Sequence, residues 1–392
     1  MAEISKKITD GVLTILASGR IDSANADSTE KSITENLEGY DSKALIIDME
    51  NLDFVSSAGL RVILRLKKNY PDLKIINVKS DVYEVFDMTG FTEMINIEKA
   101  YRTMSVDGCE VIGRGAKGTV YRYNDDTIVK VYKSADCLND ILKERELARK
   151  AFVLGVPTAI SYDVVRVGDT YGSVFELLDA KQYSELIAEN PEKLDEYAKI
   201  YSDILKGVHD TDVNDEDMPD IKDRMFLRLN ACKNYISEEN FLKIKKLISD
   251  TPDCLKMIHG DYHTNNIMVQ NGESILIDMD TLSHGHPVFE LADVYITYVG
   301  FGETDPSNVE NFLGVSYATA VKFWDKFVIE YLGTTDKEKI NKFEEKVKLL
   351  CYVRLINHIA KRNADTDEGK KAIAYCVEKI DELINVVDTL EF

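Results

Sequence analysis

The segment from Ile258 to Asp278 constrains this chain more than any other. Ile258-His259-Gly260-Asp261-Tyr262-His263-Thr264-Asn265-Asn266-Ile267 gathers two histidines, a carboxylate and an amide around a turn. Ser274-Ile275-Leu276-Ile277-Asp278 then reads as a buried strand that ends in a second carboxylate. Phosphoryl transfer to a hydroxyl needs a carboxylate to accept the proton, an amide oxygen on one metal ion and a second carboxylate to chelate the ions. Asp261 suits the base, Asn266 the amide ligand and Asp278 the chelating carboxylate, while His259 packs beneath the loop. A rival reading makes His259, Asp261 and His263 the ligands of a hydrolytic metal, with His284 and His286 in support. A plain polar turn before a strand is the bland alternative.

Two upstream features favour the first reading. Ile112-Gly113-Arg114-Gly115-Ala116-Lys117-Gly118-Thr119-Val120-Tyr121 spaces three glycines so that backbone N–H groups can approach an anion. Thr119 to Tyr123 alternates and runs into an Asn-Asp-Asp turn, so the loop opens a strand rather than a helix, which excludes a dinucleotide-binding crossover. The next strand, Thr127 to Tyr132, carries Lys130 between apolar neighbours. By itself such a lysine can be an edge residue reaching water; after a glycine loop it suits the α/β-phosphates of a nucleotide. It needs a carboxylate to hold it, and the predicted helix Asp140 to Ala151 offers Glu144, with Glu146 as the alternative on another face.

The first hundred residues have a different grammar. Val12–Ala17, Ala44–Asp48 and Leu73–Val78 read as strands, alternating with helical patterns at Ala24–Leu37, Leu60–Lys68 and Val82–Met88, which predicts a sheet with helical cover. A turn at Asp53-Phe54-Val55-Ser56-Ser57-Ala58-Gly59-Leu60 places hydroxyl residues before an apolar helix. They are good N-caps; a phosphate on Ser57 would instead add charge at a helix N-terminus on a surface that a partner reads.

Phe54 to Val62, with Val85-Phe86-Asp87-Met88-Thr89-Gly90-Phe91, resembles the STAS domain of bacterial anti-sigma-factor antagonists. The resemblance implies that Ser57 is the residue phosphorylated by a partner anti-sigma-like kinase, although Ser56 stands where many members have aspartate. Residues from about 110 onward resemble the aminoglycoside-phosphotransferase and choline-kinase-like family, on Gly113/Gly115/Gly118, Lys130, His259-x-Asp261-x4-Asn266 and Ile277-Asp278. That resemblance implies ATP and Mg²⁺ as cofactors. It also implies a hinge at Val174-Phe175-Glu176-Leu177-Leu178, where the backbone of Glu176 and Leu178 meets adenine. Leu205 to His209 resembles a helix end of the family. Glu290 stands where relatives usually have aspartate, and is expected to brace the loop of Asp261.

The expected architecture is an α/β STAS domain (1–100, a mixed sheet covered by helices) followed by an α+β bilobal protein-kinase-like domain. Its N-lobe spans 101–180 and its mostly helical C-lobe 181–392. A net charge of −21 excludes nucleic acid and anionic membrane as partners, since both need a basic face. Six scattered cysteines without C-x-x-C spacing, no apolar N-terminal segment and no apolar run of spanning length point to the cytoplasm. Six acidic residues between Asp210 and Asp220, and the C-terminal carboxylate after Phe392, suggest an amine-bearing acceptor; a solvated charge run is the bland reading. Two functions follow: a small-molecule kinase regulated through its STAS domain, or a partner-binding protein whose kinase-like domain only senses nucleotide. A protein acceptor is disfavoured because no A-P-E segment follows Asp278.

Overall fold

Leu13, Ile15 and Ala17 are buried in alternation with more exposed neighbours, as are Leu45, Ile47 and Met49 farther on. This period-two pattern belongs to paired strands. The computed structural model describes residues 2–9, 12–39, 43–115 and 117–392. It divides the chain into two units between Ser105 and Val106. In the first unit, β1 (Glu3–Thr9), β2 (Val12–Ile21), β3 (Ala44–Val55), β4 (Asp72–Val78) and β5 (Asn96–Lys99) form one sheet in that order. β1 runs antiparallel to β2 and the other neighbours are parallel, so the sheet is mixed. Four helices, α1 (Ala26–Asn36), α2 (Ser57–Asn69), α3 (Ser80–Met88) and the single turn α4 (Phe91–Met94), contribute Ile33, Ile63, Phe86 and Phe91 to its core.

Two sequence expectations needed adjustment here. β1 carries no apolar pattern because it is an edge strand whose residues are mostly exposed, including Lys6 and Lys7; charged edges resist pairing with other chains. The turn expected from Asp53 is shorter than that, since β3 continues to Val55. Ser56 is the N-cap of α2, its hydroxyl accepting from the Gly59 N–H at 3.4 Å. Ser57 is the first helical residue and is exposed.

The second unit opens with β6 (Glu110–Arg114), β7 (Gly118–Arg122), β8 (Thr127–Tyr132), β9 (Asp163–Val167) and β10 (Thr170–Glu176). They form an antiparallel sheet in the order β6-β7-β8-β10-β9, with α5 (Leu138–Val153) inserted between β8 and β9. The remainder is mostly helical: α6 (Tyr183–Glu189), α7 (Leu194–Asp210), α8 (Ile221–Ala231), α9 (Glu238–Asp250), α10 (Val288–Tyr298), α11 (Ser307–Leu313), α12 (Tyr317–Leu332), α13 (Lys337–Ala360) and α14 (Asp367–Leu383). A hairpin of Ile267–Gln270 and Glu273–Leu276 is set among them. α11 and α12 are separate helices because Gly314 adopts a left-handed conformation (φ 71°) that closes α11. Among the described residues no helix is long and apolar enough to cross a membrane.

Candidate active site

The loop bearing Asp261 owes its shape to groups far away in sequence. Gly260 has φ +81°, and a Cβ there would collide with the Arg224 guanidinium and the Thr281 carbonyl. Only glycine meets both demands. Glu290, fully buried on α10, accepts the His259 N–H at 3.0 Å and the Gly260 N–H at 2.6 Å. His209 at the end of α7 lies 2.9 Å from the same carboxylate. A glutamate therefore does bridge to this loop. Tyr201 and Tyr262 each donate a hydroxyl to the other's backbone carbonyl, at 3.1 and 2.7 Å, which locks the loop onto α7.

Asp261 faces a cleft of about 1700 Å³. Its carboxylate lies 3.5 Å from His263 Nε2 and 3.9 Å from an Arg354 nitrogen. The Asn266 amide nitrogen donates to its carbonyl at 3.0 Å and approaches its carboxylate at 3.5 Å. Burial pushes the Asp261 carboxyl up, but the hydrogen bond and charge of His263, with the charge of Arg354, outweigh burial and hold it well below the ordinary carboxylate range. Asp261 is thus an ionised acceptor at neutral pH. Burial lowers the His259 pKa, so this imidazole is neutral and packs under the loop.

Across the cleft, Lys130 Nζ is 2.9 Å from Asp278 and 3.2 Å from Glu144. Burial would lower its pKa, yet the two carboxylates raise it, and the ammonium stays charged. Tyr132 donates to the other Glu144 oxygen at 3.0 Å, which fixes the carboxylate towards Lys130. Glu146, the alternative, is exposed. Asp278 adopts a left-handed conformation (φ 61°, ψ 57°), a strained backbone for a non-glycine residue that costs about 1–2 kcal/mol and aims its carboxylate.

Gly113, Gly115, Glu176 and Leu178 line the same cleft, as do Asn266 and Asp278. Gly118 does not. A Cβ there would strike the Val131 carbonyl, so only glycine permits the close crossing of β7 and β8. Ala116 of this loop lies outside the described residues. Leu177 lines the cleft between Glu176 and Leu178, and its N–H is taken by the Asp126 carbonyl at 2.9 Å. Among the described residues, the acidic groups within ligand distance of one another are Glu144, Asp278 and Asp280. The rival set of His259, Asp261 and His263 does not form such a group.

Sequence reasoning missed a buried charge network. Arg228 makes a bidentate pair with Asp293 at 2.9 and 3.0 Å, and Arg354 joins the same carboxylate at 2.6 Å before reaching Asp261. The signal was there, as single charges interrupting the apolar runs Phe289–Tyr298 and Leu349–Ile356. Conversely, neither the acidic residues of 210–220 nor Phe392 lines the cleft. Asp217 pairs with Lys150, and the Phe392 ring packs on Phe343. The grounds for an amine-bearing acceptor fall away with them. Ser57 belongs to the other unit.

Known proteins bear on both units. Residues 3–104 match the STAS domain model. BtrV of Bordetella bronchiseptica, named as an anti-sigma factor antagonist, is 32% identical over 92 residues, covering 22% of this chain and 78% of that protein. The anti-sigma F factor antagonist of Paenibacillus polymyxa is 25% identical over 91 residues, with the same coverage. Among solved structures, ADP-bound aminoglycoside phosphotransferase APH(2'')-Ib aligns over 77% of this chain and 98% of its own at 15% identity and TM-score 0.49. A thermostable mutant of APH(4)-Ia aligns over 71% and 94% at 10% identity and TM-score 0.49. Residues 108–318, more than half of the chain, match the model of the phosphotransferase enzyme family, and the chain belongs to that family, with an N-terminal STAS domain.

Proposed function

We propose that the chain transfers the γ-phosphoryl group of ATP to a hydroxyl of a small molecule, with Asp261 accepting the proton. One observation carries the reading: Lys130, held between Glu144 and Asp278, shares a cleft with Asp261 and Asn266. A fixed, charged ammonium suits the α/β-phosphates, and an ionised carboxylate opposite suits the incoming hydroxyl. Gly113 and Gly115 bring the β6–β7 turn over the phosphates, and the backbone of Glu176 and Leu178 meets the adenine edge.

The donor set fits Mg²⁺. Asn266 spends its amide nitrogen on Asp261, which leaves its oxygen for a cation. Asp278 keeps one carboxylate oxygen beyond the Lys130 contact, and Asp280 stands within ligand distance. Hard oxygen donors of this kind suit Mg²⁺, which when bound supplies charge neutralisation on the phosphates. Asp261 has little basicity to offer, and a loose phosphoryl transition state asks for little, so its main work is orienting the hydroxyl.

In the STAS unit, the exposed Ser57 is the candidate phosphorylation site and an anti-sigma-factor-like kinase the candidate partner, the domain recruiting it or gating the transferase. Cytoplasmic residence belongs to the same reading, supported by six unpaired cysteines. ADP release from Mg·ATP over a panel of amino alcohols, aminoglycosides and sugars tests the activity, with Asp261→Asn as control and intact mass to detect phosphate on the protein. Turnover with an acceptor, lost in the variant, is expected. Nucleotide binding without turnover on any acceptor would leave a nucleotide sensor instead.

A further inference from the structure

The glycine motif also carries a lysine, Lys117, which is not among the residues lining the cleft. It sits in the turn between β6 and β7. There the Gly115 N–H donates to the Gly118 carbonyl at 2.9 Å, and the Lys117 carbonyl accepts the Lys133 N–H at 3.0 Å. Lys133 Nζ donates to the Gly115 carbonyl at 3.0 Å. These bonds tie the turn to the chain just past β8, within its own sheet. The Lys117 side chain ties it elsewhere. Its ammonium pairs with Asp280, in the turn Met279–Thr281 that follows Asp278 and packs on α5.

That pairing engages a carboxylate of the donor set assigned to Mg²⁺. Oxygens of Glu144, Asp278 and Asp280 lie within 4.8 Å of one another. Like charges this close need cations among them. Lys130 answers Glu144 and Asp278, and Lys117 answers Asp280. The two lysines are not held alike. Lys130 is 19% exposed and gripped from both sides, whereas Lys117 is 56% exposed and has one carboxylate on a distant turn. Water screens such an exposed pair, so it is worth at most about a 5-fold preference. A divalent cation carries twice the charge and takes carboxylate oxygens as direct ligands. Asp280 therefore has two competing cations, and the lysine is the weaker.

We infer that Lys117 is a latch: it holds the glycine turn down on Asp280 in competition with a divalent cation, and the turn is released when that cation is bound. This rests on the donor set proposed above for Mg²⁺. The test uses the full chain without nucleotide and Mn²⁺ as the probe, which takes the same oxygen ligands and is read directly by electron paramagnetic resonance. Lys117→Gln should bind Mn²⁺ about 3-fold more tightly than the parent, and Lys117→Arg should bind it like the parent. Hydrogen exchange of the amides of 112–119 gives a second reading. Mn²⁺ should speed that exchange about 3-fold in the parent and leave Lys117→Gln, already fast, unchanged. Equal Mn²⁺ affinity in the parent and Lys117→Gln, or exchange in the parent that Mn²⁺ slows or leaves alone, would overturn the inference. Asp278→Asn keeps the two claims apart. Mn²⁺ binding that is lost in that variant yet indifferent to Lys117 sinks the latch alone. Binding that survives Asp278→Asn undiminished sinks the donor set, and the release with it.

Discussion

The two walls of the cleft are built on opposite principles. On the sheet side, Lys130 and Glu144 are 14 residues apart and meet through one strand and one helix. Their spacing is local, and a short motif suffices to mark it. On the helical side, Arg228, Asp293 and Arg354 come from α8, α10 and α13, and 65 residues separate even the first pair. The first wall presents a single paired cation, Lys130, to the cleft; the second carries a buried charge cluster that ends at Asp261. One wall is specified by motif, the other by fold.

Substitutions should separate them. The largest effect belongs to the residue on which both walls converge: Asp261→Asn should lower kcat/KM by about 10³-fold or more, a loss of at least ~4 kcal/mol, while nucleotide still binds in a calorimeter. Next is Asp293→Ala, which would strand two buried guanidinium groups and cost roughly 3–5 kcal/mol of stability, read by urea unfolding. A variant as stable as the parent would mean that the network is not structurally important. Lys130→Ala should reduce kcat/KM by about 10²-fold, near 2.7 kcal/mol, chiefly through nucleotide, and leave folding intact.

pH offers a finer probe. Burial alone would raise the Asp261 carboxyl, and His263 and Arg354 oppose it. His263→Ala or Arg354→Gln should therefore raise its pKa and move the acid limb of the kcat/KM profile to higher pH; an unmoved limb would contradict the assignment. The linkage sign agrees. A carboxyl with a depressed native pKa contributes stability that is present above its unfolded value and lost as the pH falls through the native one. For Asp261 that loss lies below the ordinary carboxylate range. The smallest effect falls in the other unit, where Ser56→Ala should cost about 1 kcal/mol as a lost cap.

What could be read from the sequence follows the same division. Asp261, Asn266 and Asp278 lie within one turn and hairpin, so side-chain chemistry and spacing are enough to propose them. Strand β8 exposes its purpose because a lysine interrupts a β-branched run. Arg354 gave a weaker sign, a lone charge in an apolar run. It lies in α13, whose neighbours Leu349 to Ile356 read only as core, and a charge in that setting acquires meaning only when Asp293 is found beside it. Gly118 shows a second demand that the glycine motif did not reveal: a close strand crossing that admits no Cβ. Edge strand β1 was invisible because exposed residues carry no burial pattern.

The claim that the walls have separate jobs is tested most directly by initial-rate kinetics across pH, once an acceptor is in hand, on the parent, Lys130→Ala and Arg354→Gln. The account predicts that Lys130→Ala raises KM for nucleotide and leaves the acid limb of the kcat/KM profile in place, and that Arg354→Gln does the reverse, moving the limb to higher pH. If Arg354→Gln instead raised KM for nucleotide with the limb unmoved, or either variant moved both together, the division of the cleft described above would be wrong.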